Sequence, residues 1–208
     1  EWTTQLKLLS KIAESEPQSA YTAFIGGFRG KLTYFMRTIP SLGESLKPLE
    51  EVIRFYFIPA ITGGHLCSDN ERLLTSLPIR FGGLAISCFH NEAIYEYEHS
   101  RKLTLSLSEL IKEQNQIYTN QKALWYLKKK QIYTIDELDV KTVKKNIKIE
   151  KEERYKTMLA EVKQNLTEDE NRLNDITQEK GASNWLSAYP ISDQGYDLNK
   201  QQFWDSIH

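Results

Sequence analysis

Between Val140 and Ile176 apolar side chains return every three or four residues: Val140, Val143, Ile147, Tyr155, Met158, Val162, Leu166, Leu173 and Ile176. A strand sends alternate residues to one face, whereas a helix sends every third or fourth there. The spacing therefore predicts one long helix, or a helix pair, with a narrow apolar stripe. Gly181 follows where a C-terminal glycine commonly ends such a pattern. The same period recurs at Trp2, Leu6, Leu9 and Ile12, and again at Ala20, Tyr21, Phe24 and Ile25. Pro17 suits the first turn of the second of these, because its missing N–H leaves no bond unmade there. Gly26-Gly27 predicts a break. Leu32, Phe35, Met36 and Ile39 predict a further helix, stopped by Pro40.

Helix starts carry their own signal. In the Ser/Thr-x-x-Glu box two otherwise orphaned N–H groups are satisfied reciprocally. Ser68 with Glu71, Ser106 with Glu109 and Thr134 with Glu137 fit it, and Thr167 with Glu170 fits either a box or a helix interior. Leu77 to Ile86, with Pro78, Gly82 and Gly83, reads as a loop. Leu103, Leu105 and Leu107 alternate, but Ser106 reads as a cap and no sustained period-2 pattern appears. The tail from Ser183 is rich in aromatics (Trp185, Tyr189, Tyr196, Phe203 and Trp204), and Asn199 can cap a last short helix. The expected fold is mainly α: a helical bundle with one long helix or helix pair and a small aromatic-rich C-terminal segment. Residues 1–130 form one helical region, and 131–208 a long-helix connector with a C-terminal cap segment.

At 208 residues the chain can bury a sizeable core. Its 40% hydrophobic content excludes disorder, and no apolar run approaches the roughly 18–20 residues that span a bilayer. Two cysteines build no disulfide framework, so an intracellular setting, nuclear and cytoplasmic, is expected. The N-terminus lacks a signal-peptide layout and starts at Glu1, as an excised piece of a longer protein would.

The net charge of −1 argues against a nucleic-acid partner only if charge is evenly spread. It is not. Residues 101–165 hold 15 basic and 9 acidic side chains, and residues 166–208 hold 3 and 8. The whole-chain value hides a local positive field.

Three kinds of chemistry are candidates. His65, Cys67, Cys88 and His90 supply four zinc-ligand types, though one-residue gaps are unusual for structural zinc. The plain alternative is two cysteines packed as small hydrophobes with histidines at element ends. The four histidines (His65, His90, His99 and His208) lie in no nucleophile elbow or phosphate loop, so no catalytic residue and no cofactor is expected of this segment. Nucleic-acid contact has more behind it. Arg29, Lys31 and Arg37 surround Gly30, Tyr34 and Phe35, pairing cations for phosphate with rings for stacking. A second cluster runs through Lys128, Lys129 and Lys130, then Lys141, Lys144, Lys145 and Lys148. On a helix Lys141, Lys145 and Lys148 share a face opposite Val140, Val143 and Ile147. Repeated cations release counterions from phosphates, but Asp136, Glu137 and Asp139 dilute the cluster, and a solvated helix face has the same pattern. Asn165-Leu166-Thr167 matches a glycosylation sequon, which short chance matches also produce.

Several segments together resemble a known family. Trp2 with Leu9-Ser10-Lys11-Ile12-Ala13, then Pro17-Gln18-Ser19-Ala20-Tyr21-Thr22-Ala23-Phe24, then Thr33-Tyr34-Phe35-Met36-Arg37-Thr38-Ile39-Pro40 are similar to the region just after the polymerase palm in non-LTR-type retrotransposon reverse transcriptases of invertebrate animals. Pro48-Leu49-Glu50, Phe57-Ile58-Pro59-Ala60 and Leu77-Pro78-Ile79-Arg80-Phe81-Gly82-Gly83-Leu84 continue the likeness in order. Glu179-Lys180-Gly181-Ala182-Ser183-Asn184-Trp185-Leu186, Pro190-Ile191 and Gly195-Tyr196-Asp197-Leu198-Asn199-Lys200 form a later block. The family usually has Gly where Ala85 stands, and often a basic residue where Trp204 stands. The likeness implies a thumb and connector segment with the polymerase's catalytic aspartates upstream of it. Such a segment grips a template–primer duplex of RNA or DNA by its backbone and works beside the palm of the parent RNA-directed DNA polymerase. It places the grip at Arg29, Lys31, Tyr34 and Arg37, then at Arg80, with Lys128 and Lys141 to Lys148 more distal. The rival expectation is a helical protein–protein interaction module that uses the Tyr155–Ile176 stripe.

Overall fold

The structure, a computed structural model, describes the backbone of residues 1–112 and 132–207 and the side chains of residues 1–105 and 141–207. It is mainly α, with no strand among the described residues. Helix α1 spans Trp2–Ala13 and α2 spans Pro17–Ala23, with Pro17 in its first turn. The chain does not break at Gly26-Gly27. A π-turn, Phe24–Phe28, carries the helix on into α3, Arg29–Thr38, and the Arg29 N–H bonds back five residues to the Phe24 carbonyl. Glycine weakens a helix without forbidding it, and the flanking Phe24 and Leu32 are buried deeply enough to hold this one together. Ile39 is extended, as a residue before proline must be, and α3 stops there.

Helix α4, Gly43–Val52, runs through a second π-turn, Ile53–Phe57, into the short α5, Ile58–Ile61. The two π-turns meet in the core, where the Phe24 and Phe57 rings stack with centroids 4.7 Å apart. Helix α6, Asp69–Ser76, starts at the expected Ser68–Glu71 capping box. A 3-10 turn, Ile79–Phe81, and an irregular loop then lead to α7, Phe89–Lys112. Ser106 and Glu109 lie inside α7 and start nothing, so Leu103, Leu105 and Leu107 are helical too. Helix α8, Ile132–Gln164, likewise encloses Thr134 and Glu137. The long pattern resolves into a helix pair. Asn165 to Thr167 make the turn, and Thr167 with Glu170 forms a complete capping box for α9, Glu168–Thr177. Gly181 lies four residues beyond the end of α9, in a left-handed turn. Helix α10, Lys200–Ile207, is capped by Asn199, whose side chain accepts from the Gln202 N–H while Gln202 accepts from the Asn199 N–H.

One apolar core joins both ends of the chain. Leu6, Tyr21, Phe24, Met36, Ile53, Phe57 and Phe89 pack with Leu186 and Phe203 of the tail. The buried Gln18 side chain clamps the tail, donating to the Tyr196 carbonyl at 3.0 Å and accepting from the Leu198 N–H at 2.6 Å. On α1 the buried residues are Leu6, Ser10 and Ala13, whereas Ile12 faces solvent. Along the α8–α9 stripe Ile147 and Val162 are buried within the chain, and Leu173 and Ile176 are exposed. No helix among the described residues is long and apolar enough to cross a membrane.

Candidate nucleic-acid interface

The loop before α7 is shaped by two glycines. Gly82 is left-handed, with φ of 78°, and a Cβ there would lie 2.2 Å from the Asn174 amide on α9. A Cβ on Gly83 would meet the backbone carbonyls of Leu77 and Leu74 at 2.2 and 2.5 Å. The next four carbonyls each receive a side-chain donor. Tyr21 Oη donates to Leu84 at 2.9 Å and Arg29 to Ala85 at 3.3 Å, while Arg72 donates to Ile86 at 2.8 Å and Ser87 at 3.3 Å. Arg72 is buried and forks onto Glu50, with its Nε 2.5 Å from Oε1 and its Nη2 2.9 Å from Oε2. Burial raises the Tyr21 hydroxyl well above the ordinary tyrosine range, so it stays a donor. Arg29, the first cation singled out in the sequence, is thus a loop-holding residue at the start of α3.

Arg37 is drawn inward as well. Its Nε donates to Glu96 on α7 at 2.7 Å, and the other Glu96 oxygen accepts from Lys151 on α8. The Glu96 side chain is only 8% exposed. Burial opposes its ionisation, but the hydrogen bonds and charges of Lys151 and Arg37 win and hold its carboxyl below the usual glutamate value. The pattern repeats along the α7–α8 contact. Arg154 Nη2 reaches both oxygens of Glu92, at 2.8 and 2.9 Å, and its guanidinium lies 4.2 Å from the Tyr95 ring centroid. Glu150 accepts from Lys102 at 3.2 Å and lies 3.3 Å from His99 Nε2. Arg80 pairs with Glu152 of α8 at 2.6 Å and sits over the Phe81 ring. Helix α8 is therefore held to α7 largely by ion pairs.

Four further lysines lie in the part of α8 that precedes these ion pairs. Lys141, Lys144, Lys145 and Lys148 are exposed, Val143 is half-buried and Ile147 is buried, as the face assignment predicts. Residues 141–148 contain these four lysines and no acidic residue. Lys144, Lys145 and Lys148 have no ion-pair partner among the described residues. Lys141, Lys144, Lys148 and Lys151 follow one another at helical spacing. Together they form a row of about 15 Å along the axis, and it ends where Lys151 and Arg37 share Glu96. Lys31 and Tyr34, three residues apart on α3, are exposed, Tyr34 by 64%. Lys128 lies outside the described residues.

The histidine–cysteine set is divided. His65 Nε2 pairs with Glu71 at 2.7 Å, and the Cys67 thiol donates to the Ser68 carbonyl. Cys88 Sγ lies 3.3 Å from His90 Nδ1, and among the described residues their metal-capable neighbour is Glu50. The residues that organise this surface, Glu96, Glu92, Glu50 and Arg72, were not among the candidates named from the sequence. Their one sequence signal is the α7 carboxylates Glu92 and Glu96, spaced i, i+4 on a helix whose partner bears cations.

No protein-family model matches the chain, and comparison with curated proteins and with solved structures likewise returns no significant match.

Proposed function

We propose that this chain binds the sugar–phosphate backbone of an RNA or DNA duplex, without catalysis of its own, as the post-palm thumb and connector segment of a retroelement reverse transcriptase. The cations Lys144, Lys145 and Lys148 carry the proposal, being exposed, without an ion-pair partner among the described residues and mounted on a helix that ion pairs immobilise. Cations with no carboxylate beside them are the ones free to exchange counterions for phosphate. Lys31 with the exposed Tyr34 adds a cation and a stacking ring on α3. Arg29 and Arg80 serve the fold in this reading, and Arg37 joins the grip only by sharing itself with Glu96.

The test is the salt dependence of binding to a labelled duplex. Three engaged lysines give a slope of log K against log salt near −2.7 on B-DNA, equivalent to about a 40-fold loss from 50 to 200 mM. Replacing Lys144 and Lys148 by Gln lowers the slope magnitude by about 1.8. No retention at 50 mM, or a slope unchanged in the double variant, overturns the proposal.

A further inference from the structure

We propose that Glu50, Cys88 and His90 form a binding site for one thiophilic divalent cation, zinc in the first instance. The site joins two elements. Glu50 lies on α4, while Cys88 precedes α7 and His90 lies in its first turn. One donor atom from each of the three lies within 4.8 Å of the others. The Cys88 Sγ to His90 Nδ1 distance is 3.3 Å. Ordinary zinc–sulfur and zinc–nitrogen bonds at a tetrahedral angle put those atoms about 3.5 Å apart, so the pair is close to ligand geometry already.

The carboxylate is positioned as well. Arg72 takes one direction on each Glu50 oxygen, and a carboxylate offers about four lone-pair sites, so both oxygens keep a free one. The arginine orients the ligand as outer-shell partners do. Binding forms the metal–sulfur bond and releases the thiol proton to solvent, while His90 binds through a neutral ring nitrogen. A thiolate, an imidazole and a carboxylate together favour zinc over calcium or magnesium and leave a fourth position for water. The inference is independent of nucleic-acid binding and does not use His65 or Cys67.

The test is titration of the full chain with cobalt(II), whose thiolate complex absorbs in the near ultraviolet. The expected result is one equivalent bound and displaced by zinc. Cys88→Ser abolishes the band, and His90→Gln weakens binding roughly tenfold or more. Cys67→Ser and His65→Gln leave it intact. Absence of the band in the unmodified chain, its survival in Cys88→Ser, or its loss in Cys67→Ser overturns the proposal.

Discussion

Glu96→Gln tests whether ion pairs hold α8 in place. The substitution keeps the shape and one acceptor but removes the charge that Arg37 and Lys151 share. A hydrogen bond to a charged group contributes about 1.5–3 kcal/mol, and breaking a fully buried pair costs about 3–5 kcal/mol. The lower range applies here, because the Arg37 side chain is 53% exposed and can rehydrate. Lys151, 25% exposed, cannot do so fully. The expected loss is about 2–3 kcal/mol, or roughly 4–12 °C in Tm for a chain of this size. The pH dependence has a definite sign. A carboxyl held below its unfolded value contributes stability that is present above that value and lost as pH falls through the folded one. The unmodified chain therefore weakens as pH drops below the ordinary 4.5, and Glu96→Gln lacks that part of the loss. Thermal unfolding followed by circular dichroism at pH 7 and in acid measures both, and a double-mutant cycle with Arg37→Met isolates the pair. A change under about 0.5 kcal/mol, the size of an ordinary surface substitution, refutes the reasoning. The same variant frees two cations beside the lysine row, so duplex affinity is expected to rise.

Phe203→Ala removes a fully buried ring from the tail and should cost about 3–5 kcal/mol in urea unfolding. Unfolding unchanged by it would detach the tail from the core. Gly83→Ala forces a Cβ against two backbone carbonyls that cannot turn aside, so a loss of about 3 kcal/mol or a fall in soluble yield is expected. Thr167→Ala removes the α9 cap, whose hydroxyl accepts from the Glu170 N–H, at a cost of about 1 kcal/mol readable as a Tm shift.

The candidate site was legible only in part. The exposed face of Lys141, Lys145 and Lys148 followed from periodicity, because an amphipathic helix places its cations opposite its buried residues whatever it packs against. For Arg29 and Arg37 the local pattern did not show the partners. Beside glycine and tyrosine both look like phosphate ligands, yet Ala85 and Glu96, 56 and 59 residues away, engage them. His65 and Cys67 looked equivalent to Cys88 and His90 by spacing, but among the described residues it is Cys88 and His90 that share a ligand-sized cluster with Glu50.

The sequence by itself determined the mainly helical class, the caps at Ser68 and Asn199, and the two-glycine loop, since each depends on backbone geometry and hydrogen bonds within a few residues. Only the tertiary structure decided that the helix passes through Gly26-Gly27, because the burial of Phe24 against Phe57 outweighs the local cost of two glycines. It also decided which cations remain available. An ion pair needs a carboxylate from a distant element at hydrogen-bond range, and that placement is set by how α3, α7 and α8 pack together.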